Sequence, residues 1–432
     1  MECFDKEESW DRATIEAAQL ERLRTSMEGA MLSPFYAKRL KEAGVTPDSV
    51  RTLDDVRRIP FTTKDDLRNE YPYGMACVPK EQFVRMHCSS GTTGTPVAIC
   101  YTRNDLDSWS DLMARSMFVA GVRPQDVFQN MSGYGMFTGG LGIHYGAERL
   151  GCMTIPAGAG NSKRQIKFMQ DFGTTVAHIL PSYALHLGSI LQAEGIDPRS
   201  LPLRLALVGA EPYTELTRRR IEAMFDIRVH NSYGLSEMNG PGVGIECEQQ
   251  SGLHIWEDAY LVEVVDPETG DPVPEGETGE LVLTTLRREG MPILRYRTRD
   301  LTRFIPGNCP CGRVHRRIDR IVGRADDMLI VKGVNIYPMQ IEGVLMGFTE
   351  VGKNYLIILE REGLKDTMRV QVEIRKEFFV EDMRHLQGLQ NRIARALHDE
   401  ILITPKVELV QNNSLPQTEG KAKRVIDLRR PE

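Results

Sequence analysis

The run Ser89-Ser90-Gly91-Thr92-Thr93-Gly94-Thr95-Pro96 stands between two strand-like segments and is too short and polar to pack a core. Its glycines let backbone N–H groups turn toward an anion, and its hydroxyls add neutral donors, which suits a phosphate-gripping loop. It is not a Walker A loop, because no G-K-[ST] follows and Val97 stands where a lysine would be expected. A hydroxyl-rich hairpin turn has the same composition.

Four further segments carry groups of chemical interest. Gly209-Ala210-Glu211-Pro212 ends an apolar strand, where an α/β sheet presents ligands, though a plain strand-to-helix turn reads the same way. Asn231-Ser232-Tyr233-Gly234-Leu235-Ser236-Glu237 follows the next strand, offering an aromatic ring to stack on a purine and a carboxylate to hold Mg²⁺ against polyphosphate. Tyr296-Arg297-Thr298-Arg299-Asp300 leaves Asp300 able to accept two hydrogen bonds from neighbouring hydroxyls, as a ribose diol requires. Leu415-Pro416-Gln417-Thr418-Glu419-Gly420-Lys421 places a lysine on a C-terminal loop. Taken singly, such Asp and Lys residues are mostly just solvated.

A second constellation is made of thiols. Cys309-Pro310-Cys311-Gly312 is a tight turn with two cysteines, and Cys247 and His254 lie upstream. Three thiolates and one imidazole fill a tetrahedral Zn²⁺ shell with no position left for water, a structural site. His315 is an alternative nitrogen ligand, and reduced cysteines are also often buried as small hydrophobes. Cys3, Cys77, Cys88, Cys100 and Cys152 form no such group.

The elements that must position these groups follow from length and patterning. A chain of 432 residues, 41% hydrophobic and 26% charged, implies two or three structural units. Its 54 Lys and Arg against 60 Asp and Glu give a net charge of -6, with no pull toward nucleic acid or an anionic membrane, so small molecules are the expected partners. A zinc-ribbon nucleic-acid protein is disfavoured on the same ground. The acidic start Met1-Glu2-Cys3-Phe4-Asp5 lacks signal-peptide features and no apolar run reaches bilayer length, which predicts a cytoplasmic location with reduced cysteines.

Apolar spacing reads as helical from about Trp10 to Ala43 and over 106–120, 163–172, 183–194 and 215–225, and as strand over 83–88, 97–101, 127–131, 176–180, 203–208 and 227–230. That alternation predicts an α/β fold, with mostly parallel sheets flanked by helices. From 245 to 322 turn clusters such as Asp266-Pro267-Glu268-Thr269-Gly270 indicate a β-rich subdomain. A compact α+β tail follows, so the chain is divided into a large domain, 1–325, and a small C-terminal domain, 326–432.

The order of these motifs, together with Gly133-Tyr134-Gly135-Met136-Phe137-Thr138-Gly139-Gly140 and the stretch Arg320 to Pro338, resembles the adenylate-forming acyl-CoA synthetase superfamily. Within it the chain resembles the phenylacetate–coenzyme A ligases. The resemblance implies ATP-dependent adenylation of an aryl acid and transfer of the acyl group to coenzyme A, releasing AMP and pyrophosphate. An alternative within the superfamily is an adenylyltransferase that moves AMP onto a cofactor hydroxyl. The resemblance further implies that Ser89 to Thr95 grip the β- and γ-phosphates, and that Gly209, Ala210, Glu211, Pro212 and the Asn231-Ser232-Tyr233-Gly234 segment bracket adenine. Asp300 and Arg324 would hold the ribose, Glu237 Mg²⁺, and Lys421 the α-phosphate on a mobile lid hinged at Asp326. Tyr134, Phe137, Gly139 and Gly140 would shape a flat aryl slot, or else pack beside a helix start. Relatives of this kind suggest a homodimer.

Overall fold

Serine and proline decide the first break in the chain. The spacing that reads as helical from Trp10 to Ala43 is two helices, α1 (Arg12–Ala30) and α2 (Pro34–Glu42), because Pro34 occupies the first turn of α2 and Ser33 caps it through the Tyr36 N–H at 3.3 Å. The structure is a computed structural model describing residues 2–89, 96–362, 365–379, 383–416 and 424–429. The chain divides into two compact units, one of Met1–Ile179, Pro202–Ala210 and Arg228–Ile321, the other of Leu180–Leu201, Glu211–Ile227 and Val322–Glu432.

The first unit adds the short helix α3 (Lys64–Asn69) and the hairpin β1 (Arg85–Cys88) and β2 (Ala98–Tyr101), which pair antiparallel. Then come α4 (Arg103–Val119), β3 (Val127–Asn130), α5 (Thr138–Leu150), β4 (Met153–Ile155), α6 (Ser162–Asp171), β5 (Val176–Ile179) and β6 (Leu205–Gly209). The remaining strands are β7 (Arg228–Leu235), β8 (Gly240–Glu246), β9 (Leu253–Ile255), β10 (Tyr260–Val265), β11 (Gly279–Thr285), β12 (Tyr296–Thr302), β13 (Phe304–Ile305) and β14 (Arg317–Ile318).

Nine of these strands form one sheet in the order β13-β14-β9-β8-β7-β6-β5-β3-β4. From β4 to β7 neighbours are parallel, as strands joined by crossover helices are; from β7 onward they are antiparallel. The β-rich segment therefore divides, β9, β13 and β14 extending the large sheet while β10, β11 and β12 pair among themselves. The core between α4, α5 and the sheet holds Trp109, Met113, Phe128, Ile143 and Val243, each at most 2% exposed. Burying each such side chain stabilises by about 1.5–3 kcal/mol.

The second unit contains α7 (Pro181–Ala193) and α8 (Glu215–Phe225), then β15 (Gly323–Arg324), β16 (Leu329–Val331), β17 (Val334–Ile336), α9 (Pro338–Met346), β18 (Val351–Glu362), β19 (Lys365–Ile374), α10 (Met383–Ile401), β20 (Lys406–Val410) and β21 (Val425–Asp427). Its sheet runs β20-β19-β18-β21, covered by α10 through Leu389, Ile393, Leu397 and Ile401, a one-face stripe at helical spacing. Helix α8 meets α9 through polar groups. Thr217 and Tyr355 donate to the buried Glu342 carboxylate at 3.2 and 2.9 Å, and Arg220 donates to the Phe348 carbonyl at 2.6 Å, past the end of α9. Burial pushes the Glu342 carboxyl up from its ordinary range.

Candidate functional site

The site is assembled where the parallel strands end. At the base of the hydroxyl-rich loop, Ser89 N–H donates to the Val97 carbonyl at 2.9 Å and the Val97 N–H donates to Ser89 Oγ at 3.0 Å, closing β1 onto β2. Val97 is fully buried, so this position anchors the hairpin in the core and faces no ligand. Ser90, Gly91, Thr92, Thr93, Gly94, Thr95 and Lys421 lie outside the described residues.

At the ends of β6 and β7 the backbones come close. A Cβ on Gly209 would lie 2.3 Å from the Ser232 carbonyl oxygen, so only glycine fits there, and Ala210 follows with a positive φ of 67°. Asn231 N–H donates to Glu246 on β8 at 2.8 Å, holding β7 in register. Tyr233 leaves β7 with its hydroxyl donating to Asp300 Oδ2 at 2.6 Å. A bulge in β12 aims Asp300: the pairing with β11 slips between Glu280 and Val282, Arg299 takes φ 67°, and Glu280 accepts the Arg299 N–H at 3.1 Å. Tyr233, expected at the base, and Asp300, expected at the ribose, thus meet in space.

Glu237 sits in a short turn, Ser236–Met238, between β7 and β8, and is 5% exposed. Sequence reasoning missed what holds it. Arg288, buried, donates to the Glu237 carbonyl at 2.8 Å and from Nε to Asn239 Oδ1 at 2.9 Å, with its guanidinium 5.3 Å from the Tyr101 ring centre. Tyr101 OH donates to the Ser236 carbonyl at 3.3 Å. Lys64 Nζ lies 4.0 Å from Glu237 Oε1, bringing a cation from α3 to a region where the loop itself carries Val97. An arginine 51 residues from Glu237 gives no local signal of such a contact.

The proposed aryl slot lies beyond β3. Tyr134 is half-buried, and Phe137, the residue before α5, is 48% exposed. The two glycines differ. Gly140 is buried with its Cβ position 2.4 Å from the Gly133 carbonyl oxygen, whereas Gly139 faces open space. Asn130, fully buried at the end of β3, donates to Tyr134 OH at 3.0 Å and to the Gly140 carbonyl at 2.8 Å, joining the two sides.

In the second unit, Glu211 accepts from the Ser182 N–H at 2.6 Å in the first turn of α7, a favourable place for a carboxylate. Pro212 follows it before α8. Arg324 lays both nitrogens on Asp326, Nε to Oδ1 and the terminal nitrogen to Oδ2, each at 2.9 Å. The guanidinium assigned to ribose therefore also contacts the residue assigned to the hinge.

The sulfur ligands converge. The ligand atoms of Cys247, His254, Cys309 and Cys311 all lie within 4.8 Å of one another. Cys247 Sγ is 3.7 Å from Cys309 Sγ, and Cys311 Sγ is 3.4 Å from His254 Nε2. Zinc bonds of about 2.3 Å to sulfur and about 2.0 Å to nitrogen give tetrahedral edges of about 3.8 and about 3.5 Å, so this donor set fits the ion. His254 Nδ1 donates to the His315 carbonyl at 3.1 Å, which leaves Nε2 as the ligand atom. The His315 ring instead faces the Glu257 N–H and the Glu7 carbonyl. A hydrogen bond from Cys247, then His254, holds the Cys311 thiol well below its usual range, and Cys247 shifts up correspondingly, the pair sharing one proton. Burial lowers the His254 imidazole, but its bonds to Cys309 and Cys311 outweigh this and raise it.

The sequence profile of the AMP-binding enzyme family matches residues 17–286, and that of the AMP-binding enzyme C-terminal domain matches 333–429. The chain is 46% identical to a phenylacetate-coenzyme A ligase of Thermus thermophilus over 98% of both chains. It is 45% identical to one of Pseudomonas putida over 95% of this chain and 93% of that one. Among solved structures, 2-hydroxyisobutyryl-CoA ligase in the postadenylation state with R3-HIB-AMP matches with a TM-score of 0.93 at 30% identity, covering 98% of this chain and 92% of that chain.

Proposed function

The chain belongs to the phenylacetate–coenzyme A ligases of the AMP-binding enzyme family, and we propose from that premise that the strand ends around Gly209, Tyr233 and Asp300 clasp one ATP while an aryl acid lies beside Tyr134. The enzyme is an AMP-forming acid–thiol ligase. A carboxylate attacks the α-phosphorus of ATP and expels pyrophosphate; the thiol of coenzyme A then attacks the acyl-adenylate carbonyl and AMP leaves. Both steps build negative charge on oxygen, so fixed donors already in place are the main source of acceleration.

Within this scheme Tyr233 and Gly209, with Ala210, Glu211, Pro212, Asn231, Ser232 and Gly234, frame the adenine. Asp300 accepts from the ribose and Arg324 assists it. Ser89 to Thr95 hold the outer phosphates and Lys421 the α-phosphate. Glu237, fixed by Arg288, is the residue for Mg²⁺, which when bound neutralises polyphosphate charge. Residues 326–432 act as a lid hinged at Asp326 that carries Lys421 in for adenylation and out for thioester formation. Zn²⁺ on Cys247, His254, Cys309 and Cys311 is structural, with no chemical step assigned to it. We place the enzyme in the cytoplasm and expect a homodimer, which light scattering in solution tests; among the described residues no helix is long and apolar enough to cross a membrane.

The observation that supports this reading most is the 2.6 Å contact of Tyr233 with Asp300, which joins two residues 67 positions apart, assigned to base and ribose, at one point of the fold. The test is an aryl-acid panel assayed for AMP with and without coenzyme A, with hydroxylamine trapping of the intermediate. Acid-dependent hydroxamate, converted to thioester when coenzyme A is added, is the expected result. AMP transferred to a hydroxyl compound with no need for an acid would overturn it in favour of an adenylyltransferase.

A further inference from the structure

The polar groups around Tyr134 form a chain whose proton positions can be assigned. Asn130 is fully buried, and the atom facing the Gly140 carbonyl at 2.8 Å must be its NH₂ nitrogen, because a carbonyl only accepts. The same nitrogen lies 3.0 Å from Tyr134 OH, so the tyrosine oxygen accepts there. The other end of the amide is equally fixed, Asn130 Oδ1 accepting from the Ser132 N–H at 3.1 Å and from Ser132 Oγ at 2.8 Å. On the opposite side, Tyr134 OH is 3.2 Å from His144 Nδ1, and His144 Nε2 is 3.1 Å from Glu148 one turn further along α5. A carboxylate accepts, so Nε2 of the neutral imidazole carries the hydrogen and Nδ1 presents a lone pair. Tyr134 therefore donates its single hydroxyl hydrogen to His144. Its oxygen already accepts from Asn130, and the second lone pair is delocalised into the ring.

We infer that His144, held in one tautomer by Glu148, ties up the Tyr134 hydroxyl hydrogen and thereby makes the slot select aryl acids without a ring hydroxyl. This rests on the reading that Tyr134 lines the acyl slot. A phenolic acid entering such a slot gives up its hydrogen bonds to water and finds the neighbouring tyrosine hydroxyl already committed, and an unpaired buried polar group is penalised. An unsubstituted ring loses nothing. His144 is a positioning residue: it acts through Tyr134.

The test compares kcat/KM for phenylacetate with that for its ortho-, meta- and para-hydroxylated analogues. His144→Leu removes the acceptor and releases the tyrosine hydrogen. Glu148→Ala, at a side chain 53% exposed, removes the carboxylate that keeps the hydrogen on Nε2, so the imidazole can carry it on Nδ1 and no longer accept there, which frees the same tyrosine hydrogen with little risk to folding. In both variants the ratio of hydroxylated to unsubstituted acid should rise roughly two- to tenfold for at least one isomer, the worth of one neutral hydrogen bond. The rise should vanish when Tyr134→Phe is added, which a merely structural effect would not produce. Tyr134→Ala separates the two ideas. If it raises KM for phenylacetate while neither His144→Leu nor Glu148→Ala changes the ratio, the slot stands and the inference is wrong. If Tyr134→Ala leaves that KM unchanged, the slot assignment itself fails.

Discussion

Removing one ligand of the Cys247–His254–Cys309–Cys311 cluster tests whether it is a metal centre or a packed group of thiols. Cys311 is the residue to change. It is the least buried of the four, so Cys311→Ala forfeits little packing, whereas Cys309, 5% exposed, would leave a cavity. Cys311 lies 57 residues from His254, so an ion bound to both closes a loop of that length. The chain-entropy relation for a cross-link of this span gives about 4 kcal/mol. For a chain of 432 residues, with an unfolding entropy of about 2.1 cal/mol/K per residue, that corresponds to a fall in Tm of about 4–5 °C. The assay is metal content by plasma mass spectrometry alongside calorimetry, with native protein, chelator-treated protein and Cys311→Ala in parallel. One zinc per chain, lost together with thermal stability in the variant and after chelation, is the expected result. Native protein refolded with zinc that binds none, or a variant with unaltered Tm and metal content, would refute the reasoning and leave the cysteines as ordinary buried residues.

Tyr233→Phe removes the hydroxyl that fixes Asp300, and a hydrogen bond to a charged group is worth about 1.5–3 kcal/mol, so the KM for ATP in pyrophosphate exchange should rise by at least tenfold, with circular dichroism unchanged. Lys421→Ala should raise the adenylation barrier by about 2.7–4 kcal/mol, by analogy with losing one preorganised donor, and leave thioester formation from supplied acyl-adenylate largely intact; equal loss in both half-reactions would argue against a lid lysine. Burial pushes the His178 imidazole down to about 4 against about 6.5 in the unfolded chain, so the unfolded state binds more protons between those values. Stability should therefore fall as pH drops through that window, by about 3 kcal/mol in all, and His178→Gln should flatten the acid side of a Tm–pH profile.

Much of the architecture was legible in local sequence. Helix α8, Glu215–Phe225, and strand β3, Val127–Asn130, fall where apolar spacing puts them, because periodicity and caps act over a few residues. The extended α1–α2 stretch needed the Ser33-Pro34 signal to be weighed as a break. Strands β9 and β14 could not be allotted to the large sheet beforehand, since pairing partners depend on contacts far along the chain.

By itself the sequence determined the inventory: a hydroxyl-rich loop, a tyrosine and an acid after strands, and thiols spaced for a metal. Only the tertiary structure decided that His254 rather than His315 turns its imidazole to the cysteines, and that Tyr233 meets Asp300 across a β12 bulge. It also decided that Arg288 holds Glu237 and that Asn130 and His144 fix Tyr134. The reason is physical. Residue type and spacing set what a segment can form and what its side chains can do, but which side chains meet is set by strand register and packing between segments remote in sequence.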